Sequence, residues 1–490
     1  MSPSRIPVAG LLGARLAPST SPALGLRFLS HSAQRPALHL RPVLPVATSL
    51  ARRHLSSETS EAAVPEDTRP QSSVKVWQKG VALPIQDGKG SIVVSPLWLR
   101  DCCTCSQCVD PDSGQKNFAT TELPNKPKIS HIEMSSDGAV VVEWENDIMA
   151  GGEGNHTSRY SAGQLMTLYS GRRDLSGVSV TPTLWNQAKY KSIMDKCVVS
   201  YDNWLNNDDA YYAAFEKLAE TGLIFVKNVP RSETEVEKIA NRIGMLQHTF
   251  YGHTWDVRSK PRAENVAYTS KFLGLHQDLM YHEPIPKLQL LHCLENNCEG
   301  GESLFSDGIR AAYDLKLNQP YNYQHLVKLN VPFHYDKGGH HYWAYLPTIR
   351  DQGGLVSQTH WAPPFQGFFG VQKQPSWYTK RERFHYSMEV WHKAAQAFQR
   401  SIEAPENVLE VKLQPGECVI FDNTRLLHGR RQFAATDGQR WLKGTYISPQ
   451  VYAAAEQRLK DIMGYPRDSP DITERVGHRE DQVRQLGVFR

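Results

Sequence analysis

The spacing of hydrophobic and polar positions changes several times along the chain, and each change marks a unit of structure. Over 74–168 the pattern is one of short alternating stretches, such as Gly-Ala-Val-Val-Val-Glu-Trp at 138–144. Period-two alternation suits half-buried strands, so 73–168 reads as a small β-rich module. Residues 169–208 carry little periodicity and read as a connection. Over 209–223 the period lengthens: Tyr211, Tyr212, Phe215 and Leu218 recur at helical spacing, and Gly222 supplies a C-terminal stop. Residues 224–229 then read as a strand and 234–243 as a second helix. Short β-like runs follow at 288–294, 302–305, 327–333 and 418–421, with turn signals at Gly300-Gly301 and Pro415-Gly416. Two more helices fit 388–402 and 450–463. Many short strands with flanking helices predict a mainly β fold, a double-stranded β-helix or jelly roll, over 209–465. A tail, 466–490, follows it.

Length and composition refine this picture. A chain of 490 residues is too long for one core. Its first 57 residues carry Arg5, Arg15, Arg27, Arg35, Arg41, Arg52 and Arg53 and no acid before Glu58. An Arg- and Ser-rich, acid-free leader has the composition of a mitochondrial transit peptide, with 52–57 as a processing region. The alternative is a disordered basic tail, since several prolines weaken the amphipathic helix a transit peptide needs. Residues 58–72 are polar and read as a linker. The formal charge of +4 includes those seven arginines, so without the leader the balance is near −3. That balance gives no general attraction to phosphate backbones, and no basic stripe interleaved with aromatics occurs. No stretch approaches 18 uninterrupted apolar residues, which argues against a membrane span. The expectation is a soluble protein of the mitochondrial matrix, binding neither nucleic acid nor membrane.

The candidate chemistry sits in the later β-rich region. His276-Gln277-Asp278 is followed 150 positions after Asp278 by His428 in the run FDNTRLLHGRR. Two imidazoles and one carboxylate on one face of a metal leave positions open for a co-substrate and O2, the arrangement of non-haem Fe(II) oxygenases. H-x-D alone is a weak signal among 19 histidines. Arg440 lies twelve residues beyond His428, in RWLKGTY. Its rigid fork suits the far carboxylate of 2-oxoglutarate. Asn265, eleven before His276, offers a further hydrogen bond to that co-substrate. Arg430 and Arg431 read as structural or solvated.

Longer motifs point the same way. TFYGHTW (249–255), ENVAYTS (264–270), HQD (276–278), QLLHC (289–293), GGES-x3-DG (300–308) and FDNTRLLHGRR (421–431) resemble the γ-butyrobetaine/trimethyllysine dioxygenase family, within the taurine-dioxygenase-like group. The resemblance spans about 74–460 and is closest to the γ-butyrobetaine branch. It implies that His276, Asp278 and His428 hold Fe(II), that Asn265 and Arg440 hold 2-oxoglutarate, and that ascorbate serves as reductant. Family substrates carry a trimethylammonium group, which donates no hydrogen bond and is best held by the faces of aromatic rings. The family's cage positions fall on Tyr251, Trp255, Tyr268 and Tyr446, all aromatic here. Two stretches depart from the family: Leu-Met-Tyr-His-Glu-Pro after Asp278, and 334–370, where the Asn expected near the substrate carboxylate has no counterpart in 355–366.

Cys102, Cys103, Cys105 and Cys108 crowd one short loop. In a reducing compartment clustered cysteines more often bind metal than pair as disulfides. C-x-C-x2-C from Cys103, completed by His156, makes a closed Cys3His site suited to structural Zn(II); the alternative is an accidental cluster of free thiols. The resemblance supports zinc, because the γ-butyrobetaine branch carries such a module. Cys102 is the odd member. Cys197, Cys293, Cys298 and Cys418 read as buried small apolar residues.

The function expected from these features is Fe(II)- and 2-oxoglutarate-dependent hydroxylation of a trimethylammonium carboxylate, γ-butyrobetaine to carnitine, with O2 as co-substrate. Homodimers are common in the resembling family. Two other readings stay open: the same chemistry on trimethyllysine or another betaine, and a non-catalytic metal-binding scaffold.

Overall fold

A computed structural model describes residues 75–77, 80–84, 91–149, 156–161, 163–165, 180–258, 269–369, 380–434, 438–463 and 472–487. The leader and linker expected over 1–72 lie outside these residues. Two three-stranded antiparallel sheets open the described chain: β1 (Lys75–Trp77), β2 (Gly80–Pro84) and β3 (Ser91–Val94), then β4 (Ile129–Met134), β5 (Val140–Trp144) and β6 (His156–Tyr160). Val81, Leu83, Val142, Trp144 and Tyr160 meet in one core. The alternation expected over 138–144 is realised in β5, whose Val140, Val142 and Trp144 point inward. The buried Trp144 indole N–H is satisfied by Ser158 Oγ at 2.9 Å.

The later part is built on two larger sheets. One has six strands in the order β7 (Val198–Ser200), β8 (Leu223–Lys227), β18 (Cys418–Asp422), β11 (Leu288–Asn296), β20 (Arg440–Ile447) and β9 (Thr254–Arg258). The other has four, β10 (Leu273–His276), β19 (Leu426–Arg430), β12 (Ser303–Asp307) and β17 (Val408–Val411). All pairings are antiparallel except β7 with β8. Central strands covered on both faces lose alternation, so LQLLHCLEN in β11 is buried almost throughout and LLHGR in β19 entirely. Phe421 of β18 joins the two sheets, its ring lying 5.4 Å from Phe305 in β12 and 4.9 Å from His428 in β19.

Helices Asp208–Thr221, Glu235–Ile243 and Pro449–Met463 pack on the six-stranded sheet or on one another, and helices Gly308–Asn318 and Lys380–Glu403 touch the four-stranded one. The first ends as its sequence predicts, with Gly222 in the left-handed region at φ 76. Hairpins β13 (Asn330–Lys337) with β14 (His340–Pro347), and β15 (Ile349–Gln352) with β16 (Leu355–Thr359), fill the middle of the chain.

Two expectations need correction. The strand placed at 327–333 begins at Asn330, because Pro320–Lys328 is a helix that buries Tyr323 and Leu326. The stretch read as a connection carries, in its described part, helices Gln187–Ile193 and Tyr201–Asn206 and strand β7. Helices of two turns are too short to display a period, although Trp185 and Trp204 are wholly buried there and donate to Thr221 O and Ile239 O. Part of the C-terminal tail forms helix Ile472–Gln485, anchored by Arg479 Nη1 donating to Val356 O at 2.6 Å. Phe421→Ala, which opens a cavity between the two large sheets, should cost about 3–5 kcal/mol; an unchanged urea midpoint would show that the sheets do not depend on this ring.

Candidate active site

The register between β10 and β19 sets His276 directly opposite His428. Asp278 follows two residues later, so the three side chains converge, with one potential ligand atom from each lying within 4.8 Å of the others. His276 Nε2 is 3.3 Å and His428 Nε2 3.9 Å from the same Asp278 oxygen, Oδ1. Gly274 O lies 2.9 Å from His276 Nδ1. A carbonyl only accepts, so Nδ1 carries the proton and Nε2 keeps its lone pair for the centre.

Asp278 is held from behind by Asn423, from the FDN part of the motif. Asp278 N donates to Asn423 Oδ1 at 2.8 Å, and Asn423 Nδ2 donates to Asp278 O at 3.0 Å. Gln277 points away from the centre, donating to Asn423 O at 2.8 Å and accepting from Trp361 N at 2.9 Å. This clamp keeps Leu279, the next residue, in the left-handed region at φ 58, a conformation that costs a non-glycine residue about 1–2 kcal/mol. The third support is Tyr446, whose hydroxyl donates to Asp278 Oδ2 at 2.7 Å.

Electrostatics follow from burial and neighbours. Burial pushes the Asp278 carboxyl up, but the two imidazoles beside it and the Tyr446 hydroxyl together hold it well below the usual carboxylate range. Burial, reinforced by His276, pushes His428 down to about 3. One carboxylate and two imidazoles form a donor set that suits a divalent transition metal and covers only one of its faces.

Arg440 enters the same cavity from β20. It is buried, its Nε meets no acceptor, and burial lowers its pKa to about 10. No carboxylate among the described residues pairs with it. A buried guanidinium without an anion is costly, so the cavity fits an acidic ligand. Arg430 lies beside it, buried rather than solvated, and donates through Nη2 to Thr269 O and Lys271 O. Arg431 is exposed and pairs with Glu410. Tyr251, Trp255 and Tyr446 line the same cavity as the triad, with the Trp255 and Tyr446 rings stacked at 3.9 Å. Asn265 and Tyr268 lie outside the described residues. Two polar lining residues had no assigned role in the sequence: Tyr281, in the stretch that departs from the resembling family, and Gln289, within QLLHC. Neither could be told from core by pattern, since both sit in apolar surroundings.

A family model described as taurine catabolism dioxygenase TauD, TfdA family, matches residues 186–446. The chain belongs to the TauD/TfdA dioxygenase family. It is an Fe(II)/2-oxoglutarate-dependent dioxygenase. A second model, gamma-butyrobetaine hydroxylase-like, N-terminal, matches residues 73–165. The chain is 33% identical to dioxygenase str8 of Strobilurus tenacellus, over 71% of this chain and 81% of that one. It is 30% identical to a gamma-butyrobetaine dioxygenase of Pseudomonas sp. (strain AK-1), over 77% and 93%, and 26% identical to the mitochondrial trimethyllysine dioxygenase of Mus musculus, over 72% and 79%.

This TauD/TfdA dioxygenase carries a second candidate metal centre in its N-terminal part. The sulfurs of Cys103, Cys105 and Cys108 lie 3.7, 3.3 and 3.4 Å from His156 Nε2. A zinc ion at ordinary bond lengths has tetrahedral edges of about 3.5 Å, so the four groups fit one. His156 Nδ1 donates to Asp147 Oδ2 at 3.1 Å, and Asp147 in turn accepts from the buried Arg100. Burial and the adjoining Cys103 sulfur push the Cys108 thiol up to about 12, despite the nearby Arg100. Asp147 escaped sequence reading because one acid among many has no spacing signature. Cys102 packs against the apolar core of the module and joins no cluster. Asp147→Asn should weaken metal binding about 10- to 100-fold, measured by competition with a chelating dye; unchanged affinity would exclude the Asp147–His156 contact as a support.

Proposed function

We propose that this dioxygenase hydroxylates a trimethylammonium carboxylate, converting γ-butyrobetaine to L-carnitine. The observation that carries the reading is the stacked Trp255–Tyr446 pair lining the same cavity as the His276–Asp278–His428 cluster, with Tyr251 beside them in that lining. A ring face left open to the cavity attracts a quaternary cation by about 0.5–2 kcal/mol per contact and requires no donor from it. We further infer that the two large sheets form a double-stranded β-helix, that Cys103, Cys105, Cys108 and His156 hold a structural zinc, and that the leader over 1–57 directs the protein to the mitochondrial matrix.

In this reading His276, Asp278 and His428 hold Fe(II), Arg440 grips the far carboxylate of 2-oxoglutarate, and Asn265 and Tyr268 complete the co-substrate and cation sites. Iron with 2-oxoglutarate supplies the oxidising power that activates O2 for hydrogen abstraction. The chain's own contribution is placement. The ring wall fixes the cation, and the fixed cation decides which methylene faces the metal. Tyr446 serves both ends, since its ring belongs to the wall while its hydroxyl holds Asp278.

N6-trimethyllysine is the second reading, and one observation weighs against it. Its free α-amino group needs an acid, and Asp278 is the only carboxylate lining the cavity among the described residues. With Fe(II), ascorbate and 2-oxoglutarate, the purified protein should form succinate and a product heavier by one oxygen atom from γ-butyrobetaine, and should prefer it over trimethyllysine in direct competition. A product from another cation alone would move the substrate and leave the metal chemistry. The wall has its own test. Gly444 lies opposite Trp255 in β20, and a Cβ there would fall 2.6 Å from the indole ring. Gly444→Ala should therefore displace Trp255 and raise the KM for the betaine about tenfold, leaving that for 2-oxoglutarate nearly unchanged. Equal effects on both constants would remove Trp255 from the cation site.

A further inference from the structure

Gln289 is a polar side chain in the cavity with no task in the mechanism above. Gln289 lines the cavity at 2% exposure, and its Oε1 meets no donor. An unmet buried amide oxygen costs about 1–3 kcal/mol. Leu291, the next lining residue on β11, is apolar, so the strand does not need a polar group there for packing.

Register locates the amide. Gln289 pairs with Tyr446 of β20 on one side and with Phe421 of β18 on the other. It therefore stands beside the ring stacked on Trp255 and in the row that reaches His428 through Phe421. Arg440 pairs with Asn296, at the opposite end of β11. Seven residues of strand span about 23 Å, which places the far carboxylate of a five-carbon diacid well away from Gln289.

An amide oxygen presents negative potential and donates nothing. A primary ammonium brings three N–H donors, and one oxygen among aromatic rings leaves the others unmet. A quaternary ammonium asks only for negative surface, which an amide oxygen supplies through C–H···O contacts. We propose that Gln289 forms the polar floor of the cation site, its carboxamide, which no hydrogen bond holds among the described residues, turning so that Oε1 faces the N-methyl groups, and so selects a quaternary cation over a neutral group of the same shape. The inference rests on the betaine reading given under Proposed function.

Calorimetry on the full chain loaded with Mn(II) and 2-oxoglutarate tests it without turnover. The probes are γ-butyrobetaine and its neutral-headed isostere 5,5-dimethylhexanoate, in which carbon replaces the quaternary nitrogen. In Gln289→Leu the Kd for γ-butyrobetaine should rise about five- to tenfold, the scale of one buried polar contact, while that of the isostere stays put. Gln289→Glu keeps an oxygen at this place whichever way the amide is turned, and should restore binding. Without ligand the Leu variant should melt no lower than the parent, because an unmet oxygen has been removed. Equal losses for both probes, or a weakened 2-oxoglutarate with cation binding intact, overturn the proposal. If the parent protein binds the isostere as well as the cation, the betaine reading itself fails; if the parent prefers the cation and the Leu variant does so equally, only the role of Gln289 fails.

Discussion

The site depends on one backbone pairing, His276 of β10 against His428 of β19. Because strand side chains alternate, a slip of one residue in this register would turn one imidazole away from the centre. The pairing holds because β19 is buried along its whole length and is flanked on its other edge by β12. Asn423 then fixes the turn after β10, satisfying both backbone polar groups of Asp278. Sheet register brings the imidazoles together, and one carboxamide brings the carboxylate to them.

The two metal-type centres share one physical device. In each, a histidine turns Nε2 toward the cluster because its Nδ1–H is engaged elsewhere, with Gly274 O for His276 and Asp147 for His156. The centres differ in completeness. Four protein groups converge around His156, which closes a tetrahedron, whereas three converge around Asp278. A closed set suits structure and an open set suits chemistry.

Charge is distributed along the cavity in a way that sorts its ligands. Arg440 lies at one end of β20, buried and without an acid, and Tyr446 lies near the other, stacked on Trp255. In the proposed reading an anion binds at the first end and a cation at the second.

Much of this was legible in the amino-acid order. Glycine at position 222, the helical spacing of Phe215 and Leu218 and the alternation in β5 are local properties, and local properties survive without knowledge of the fold. The HQD and FDNTRLLHGRR motifs and the cysteine run also stand in the order of residues, because ligand chemistry restricts residue type. Short helices around Trp185 and Trp204 were not legible, since two turns display no period. Nor were Asn423 as the clamp of Asp278, Asp147 behind His156, or Gln289 beside Tyr446, for each role exists only through contacts between residues distant in sequence. Residue types and their spacing by themselves determined which chemistry this protein can hold. The tertiary structure alone decided which groups face it, because facing depends on register and burial between strands far apart in the chain.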